Sequence, residues 1–326
     1  MAAITLLEAI RQGLWEEMER DNRVFLLGED IGVYGGAFKM TEGFLERFGE
    51  ERVIDTPISE SAIVGAACGA AMMGMRPVAE MQFIDFISCC FDILTNYAAK
   101  SRYRQGIGIP VVVRGPCGGG VHGGPFHSQN VESFFLNTPG LKMVEPATPY
   151  DAKGLIKAAI RDDDPVLFFE HKLLYRNPKI KQEVPADDYI VPIGKAAVRR
   201  EGRDLSIITY GAMVYTALEA ADRLEQEGID AEVIDLRTLQ PFDRDTIVES
   251  VKKTSKVIIL HEATRTGGMA GEITAVINEE AFEYLDGPVV RVTSIDTPVP
   301  YSPPLEEYFL PQVDDVLTAA RSLSAY

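Results

Sequence analysis

Short apolar runs alternate along the chain with longer stretches whose apolar positions recur every three or four residues. Val24-Phe25-Leu26-Leu27 reads as a buried strand, and so do Pro77 to Phe83, Val111 to Val113, Leu141 to Val144 and Val166 to Phe169. Ile4 to Ile10 opens an amphipathic helix, and Ile87 to Tyr103 and Tyr150 to Arg161 keep helical spacing. Strands that are apolar throughout, rather than at alternate positions, belong to parallel sheets covered on both faces. Helices between them supply the crossovers.

The alternation pauses from Asn177 to Pro192, a polar stretch holding Pro178, Pro185 and Pro192, which reads as a linker. Beyond it the pattern restarts. Leu205 to Tyr210, Ala231 to Leu236, Val257 to Leu260 and Val289 to Val292 read as strands. Met213 to Glu227, Asp243 to Lys253 and a segment starting near Gly271 read as helices. The expected class is α/β, with two domains at 1–184 and 193–326, each a mostly parallel sheet flanked by helices. The 326 residues suit two cores better than one.

Charge narrows the partners. A net charge of −17 argues against nucleic acid and against an anionic membrane, and leaves room for a basic protein. The longest apolar stretch, Ala62 to Met75, falls short of the ~20 residues of a membrane span. The N-terminus runs directly into a helix, so a cytoplasmic protein is expected. Cys68, Cys89, Cys90 and Cys117 have no metal-type spacing and read as reduced, mostly buried thiols.

Four segments could carry chemistry. In Asp55-Thr56-Pro57-Ile58-Ser59-Glu60, Pro57 stops local structure and Ser59 suits an N-cap for a helix beginning near Ser61. Glu60 then stands at the entrance of a helix of small residues, Ala62 to Ala71, where backbones can approach closely. An unpaired buried carboxylate is costly, so Glu60 either answers the helix dipole or has a specific task. The loop Arg114 to His127 follows a strand, is rich in glycine and carries His122 and His127, residues suited to proton transfer. Glu80 to Phe86 ends a strand with two aromatic rings that could face a flat ligand or fill the core. In Ile160-Arg161-Asp162-Asp163-Asp164-Pro165 a helix stops before a strand, and carboxylates with free carbonyls there can hold a hard cation or simply face solvent. No nucleotide-binding glycine fingerprint, serine elbow, zinc signature or kinase set is present.

Taken in order, Leu27-Gly28-Glu29-Asp30, Asp55 to Glu60, Arg76-Pro77-Val78-Ala79-Glu80, His127-Ser128-Gln129, Pro139-Gly140-Leu141-Lys142 and Asp151 to Asp162 resemble one family. It is the β subunit of the thiamine-diphosphate-dependent 2-oxo acid dehydrogenases. The second half, with Asp235 to Pro241 and His261-Glu262, resembles the transketolase C-terminal domain, and the first its pyrimidine-binding domain. The resemblance implies that Glu60 meets N1′ of the cofactor's aminopyrimidine and favours its imino form. It places Phe86 on the pyrimidine face, with Ile58 and Gln82 in the same pocket. It makes His127 the histidine of acyl transfer to a lipoyl group, while His122 has no firm counterpart. It puts a structural potassium ion at Val111, Ala159, Ile160, Asp162 and Asp164, where the family often has Asn at the last position.

The superfamily's Gly-Asp-Gly signature for magnesium and diphosphate is absent. The resemblance therefore implies an α subunit that holds Mg2+ and the diphosphate, an α2β2 heterotetramer, and a lipoylated acyltransferase as acceptor. Glu306, Glu307, Asp314 and Asp315 are expected to face a basic docking domain of that acyltransferase. The substrate is a 2-oxo acid, branched-chain or pyruvate, with Gln82 to Phe86 and Gly118 to Gly124 nearer the branched-chain type. An acetoin dehydrogenase β subunit and a self-contained transketolase-like enzyme are the alternatives.

Overall fold

The computed structural model describes residues 3–326. They form two compact units. One joins the chain up to Cys117 with Phe134–Ile193; the other joins Gly118–Ser133 with Gly194–Tyr326. One short segment of the first half is thus folded into the second unit, and no single cut in sequence separates the two.

In the first unit, α1 (Leu6–Arg20) starts at a Thr5 N-cap with a reciprocal capping box to Glu8. β1 (Val24–Gly28) follows, then α2 (Phe44–Phe48), β2 (Val53–Asp55), α3 (Glu60–Met72) and β3 (Arg76–Glu80). A 3-10 turn at Ile84–Cys90 and a π-helical segment at Ile93–Ala98 lead into α4 (Ala99–Gln105). β4 (Val112–Cys117), β5 (Lys142–Val144), α5 (Pro149–Arg161) and β6 (Val166–His171) complete it. The strands run in the order β5-β6-β4-β3-β1-β2, all parallel. Every residue of β1, β4 and β6 is buried, as in a parallel sheet covered on both faces.

Helices α1 and α5 pack closely because α1 has Gly13 at the crossing. A Cβ there would lie 2.4 Å from Ile156 Cγ2. Beneath the sheet's carboxyl edge lies a buried ion network. Arg114 donates to both oxygens of Glu170 at 2.5 and 2.6 Å and to Glu80, and the Tyr175 hydroxyl donates to Glu170 at 2.5 Å. It ties the ends of β3, β4 and β6 together. Burial pushes the Glu80 carboxyl up, against the pull of Arg114.

The second unit contains β7 (Ala197–Arg200), β8 (Leu205–Thr209), α6 (Met213–Gln226), β9 (Ala231–Asp235), β10 (Thr238–Gln240) and α7 (Arg244–Thr254). It continues through β11 (Val257–Thr264), α8 (Met269–Glu280), β12 (Val290–Ser294), α9 (Pro303–Phe309) and α10 (Val313–Ser324). Its sheet has the order β12-β11-β8-β9-β7, parallel except for the antiparallel edge strand β7. Both sheets fit the expected class.

The strands and most helices lie where the apolar pattern puts them. Two segments differ. The strand read from Pro77 to Phe83 stops at Glu80, because the chain then turns to deliver residues 82–86 to the sheet edge. The single helix read over Ile87 to Tyr103 divides into 3-10, π and α portions. Among the described residues, no helix is long and apolar enough to cross a membrane.

Candidate active site

Three loops meet at the carboxyl edge of the first unit's sheet, where open α/β folds bind ligands. Glu29 and Asp30 follow β1, Asp55 to Glu60 follow β2, and Gln82 to Phe86 follow β3, and these strands are neighbours. The loops are bonded to one another. Asp55 accepts the Gly32 N–H at 2.6 Å, and the approach is so close that a Cβ on Gly32 would lie 2.5 Å from Asp55 Oδ2. Gln82 Nε2 donates to Asp30 Oδ2 at 3.3 Å. Ser61 Oγ donates to the Cys89 carbonyl at 2.5 Å, tying the first turn of α3 to the turn that carries Phe86.

Glu60 is the first residue of α3, one position earlier than the expected start. Ser59 holds the N-cap position in extended geometry (φ −166°), but its side chain caps nothing. The first-turn N–H groups of α3 are left to other partners. Glu60, Gln82 and Phe86 are half-buried, and Ile58 is 83% exposed. An apolar side chain so exposed beside a half-buried carboxylate describes a site open on one side.

The sequence assigns no role to Glu29, and the fold places it beside Glu60. Glu29 is buried, and its Oε1 has no hydrogen-bond partner. Burial raises its carboxyl above the usual range, the nearby charges of Glu60 and Asp30 raise it further, and the Ser59 N–H pulls the other way. The sequence signal is Gly28-Glu29-Asp30 at a strand end, and only the fold reveals its nearness to Glu60.

His127 belongs to the second unit. It ends a 3-10 turn at Gly124–Phe126 and is half-buried. Its loop is gripped by that unit's carboxylates. Glu262 accepts the Gly119 N–H at 2.6 Å and the Asn130 amide at 2.8 Å. Glu306 accepts the N–H groups of Gly120 and His122 at 3.1 Å, and His122 Nδ1 lies 2.6 Å from its Oε2. Glu306 is only 1% exposed, so it does not share the surface role expected for it with Glu307, Asp314 and Asp315. Its carboxylate points inward to satisfy backbone donors that glycines leave bare.

The groups read as potassium ligands gather at the end of α5, where helix carbonyls lack partners. Arg76 donates to the Ile160 and Asp162 carbonyls, each at 2.9 Å, and Lys142 bonds the Asp162 carboxylate at 2.6 and 2.7 Å. Arg102 bonds Asp164 at 2.5 Å. The Ala159 carbonyl accepts from the Asp162 N–H, and the Val111 carbonyl accepts from the Val166 N–H. The set is oxygen-rich, and three side-chain cations of the chain, Arg76, Lys142 and Arg102, already answer much of it.

Of the four cysteines, Cys68, Cys90 and Cys117 are buried and Cys89 is exposed, none of them in a disulfide. Burial pushes the Cys68 and Cys90 thiols up to about 12.

Known proteins resemble the chain along its whole length. Residues 2–178 match the family described as transketolase, pyrimidine binding domain, and residues 194–316 match transketolase, C-terminal domain. The chain is 54% identical to the 2-oxoisovalerate dehydrogenase subunit beta of Bacillus subtilis (strain 168), with 100% of both chains covered. It is 49% identical to the pyruvate dehydrogenase E1 component subunit beta of the same strain, over 99% of each. The Staphylococcus aureus (strain COL) pyruvate dehydrogenase E1 component subunit beta is 46% identical over 98% of each. Among solved structures, a split gene transketolase described as an inactive beta4 tetramer matches with a TM-score of 0.81, at 26% identity and 99% coverage of both chains.

Proposed function

The chain belongs to the β subunits of 2-oxo acid dehydrogenase first components, built from transketolase pyrimidine-binding and C-terminal domains, and from that premise we propose the roles of its residues and partners. It acts with an α subunit in an α2β2 heterotetramer, oxidatively decarboxylates a 2-oxo acid and passes the acyl group to a lipoylated acyltransferase. A branched-chain 2-oxo acid is the preferred substrate, supported by the 54% identity to a 2-oxoisovalerate dehydrogenase subunit against 49% to a pyruvate one. The bacterial relatives support a cytoplasmic location.

Thiamine diphosphate is the cofactor this family implies, and the residues at the first sheet's edge fit its aminopyrimidine half. When bound, it supplies the nucleophile and the electron sink for decarboxylation. Glu60 would share a proton with a ring nitrogen of the bound cofactor, from the first turn of α3 beside the buried Glu29. Phe86 offers an aromatic face, Ile58 an apolar cover, and Gln82 a hydrogen-bonding amide steadied by Asp30. His127 supplies a proton to the lipoyl sulfur released as its disulfide opens. With no Gly-Asp-Gly signature in the chain, the α subunit holds Mg2+ and the diphosphate.

The observation that carries this reading is the convergence of Glu60, Gln82 and the Phe86 turn on one open edge of the sheet. Glu60→Gln keeps the size and removes the shared proton. In the assembled enzyme it should lower decarboxylation by about 10²–10⁴-fold, the usual contribution of a general acid–base group, with assembly intact. Activity within a factor of two of the unchanged enzyme would remove Glu60 from that role.

Potassium at Val111, Ala159, Ile160, Asp162 and Asp164 is proposed on donor chemistry, in competition with Arg76 and Lys142 for the same oxygens. Potassium chloride should then raise the melting temperature above its value in sodium chloride of equal strength. Identical melting in the two salts counts against the ion.

A further inference from the structure

The carboxyl edge of the second unit's parallel sheet is the place where such a fold ordinarily takes a ligand. In this chain residues 118–133 take up that place. They are held by side chains from the ends of β8 and β11 and from the segment around α9. Glu262 follows His261 near the end of β11 and accepts from Gly119 and Asn130. Tyr210, just past β8, donates its hydroxyl to Glu132 at 2.6 Å. Tyr301 packs so closely on Gly124 that a Cβ there would lie 2.1 Å from its ring. Glu306 gathers the Gly120 and His122 N–H groups and the His122 ring.

The loop needs this grip. Gly118, Gly120 and Gly124 have positive φ, and so does His122, a residue with a Cβ, at 60°. A non-glycine residue in that region is strained and persists only where its surroundings over-determine it. Here the surroundings are one carboxylate. Glu306 receives both the N–H of the strained residue and its imidazole, so it holds His122 at backbone and side chain together. Five residues later the same loop presents His127.

We propose that Glu306 is a positioning residue for acyl transfer: it locks the His122 turn and thereby sets the loop that presents His127, so that the second domain serves as the cradle of a catalytic loop. This rests on the reading of His127 as the acyl-transfer histidine. The grip acts on His127 through the loop and not on Glu60, so the two half-reactions separate. Loosening it affects transfer to the lipoyl group more than decarboxylation.

The experiment uses the assembled enzyme with its α subunit and a lipoylated domain as acceptor. It compares Glu306→Gln, Glu306→Asp, His122→Ala and His127→Gln. Each is assayed for lipoyl acylation and for decarboxylation read with an artificial electron acceptor, and hydrogen exchange is followed across residues 118–124. For Glu306→Gln the ratio of acylation to decarboxylation should fall about tenfold, and exchange of the 118–124 amides should quicken. Glu306→Asp should recover part of both.

Equal loss of both half-reactions in Glu306→Gln would mean a merely structural role and overturn the proposal. Should Glu306→Gln fail to fold, His122→Ala decides. It truncates an exposed ring and should lower the ratio several-fold; an unchanged ratio overturns the proposal. His127→Gln separates the two levels. If it leaves acylation intact, the reading of His127 is wrong. If it abolishes acylation while Glu306→Gln and His122→Ala do not lower the ratio, only the cradle is wrong.

Discussion

His261 sits near the end of β11 with no exposed surface, its Nδ1 3.1 Å from the Ala263 carbonyl and its Nε2 without a partner. Its Nδ1 therefore carries the proton, and protonating Nε2 would bury an unanswered charge. Burial lowers its pKa from 6.5 to about 4. Above 6.5 the ring is neutral in folded and unfolded chains alike. As pH falls from 6.5 toward 4, the unfolded chain takes up the proton first, and stability is lost. A shift of that size is worth about 3 kcal/mol. Unfolding by urea at pH 7 and pH 4.5 should show this loss in the native chain and a smaller one in His261→Asn. Equal pH slopes for the two would show that His261 is not the group responsible.

The same scale shows what the sequence could not display. His261 and Glu262 stand out as a family pattern, yet neither the missing partner nor the grip on Gly119 is written in neighbouring residues. Glu306 reads as one acid in an acidic stretch, because local composition cannot tell a carboxylate that faces water from one that faces a loop more than 180 positions earlier. Glu60 stands out in the sequence because Pro57, the N-cap position and the small-residue helix are all local signals. Glu29 does not, because only the fold shows its proximity to Glu60 across two adjacent strands.

Among the elements, the buried strands were the most legible. A parallel strand covered on both faces favours an apolar run: β1 is apolar throughout, while β4 and β6 open on Val112-Val113 and Val166 to Phe169 and bury Arg114 and Glu170 as a bonded pair. The segment after β3 was the least legible. Its residues fit helical spacing, but the chain there must deliver Gln82 and Phe86 to the sheet edge, and it does so with 3-10 and π geometry. Helix packing offers a direct check on what glycine is for. Gly13→Ala should gain about 1 kcal/mol of helix propensity. The new methyl, however, meets Ile156 Cγ2 at 2.4 Å and the Lys153 carbonyl at 3.2 Å. Overpacking of that kind costs about 1–3 kcal/mol, so the net change is destabilising. At Gly271, inside α8, an added methyl would have nothing within 4 Å, so Gly271→Ala should stabilise by up to about 1 kcal/mol. Chemical denaturation of both variants tests the contrast, and a stabilised Gly13→Ala would mean that α1 and α5 yield more easily than their spacing says.

At the scale of the whole molecule, the first unit carries unfinished surface. Beside the first turn of α3 a cleft of about 400 Å3 opens, lined by Phe25, Leu27, Ile54, Pro57 and the small residues Ala62, Ala66 and Ala70. Ile58 stands exposed next to it. If Glu60 has the role proposed for it, a chain with no diphosphate signature and an apolar cleft at the same helix is expected to complete its site by association. Calorimetric titration of thiamine diphosphate and magnesium should show no binding to the chain alone and binding once the α subunit is added. Tight binding to the chain alone would favour a self-contained enzyme. Ala66→Leu then locates the contact. Its added side chain lies on an exposed helix face, so the melting temperature of the isolated chain should change little. If α3 packs against a partner's backbone, the same substitution should abolish assembly, measured by sedimentation, and with it the calorimetric signal. Normal assembly of Ala66→Leu would move the interface away from α3 and leave the small-residue face without a purpose in the complex.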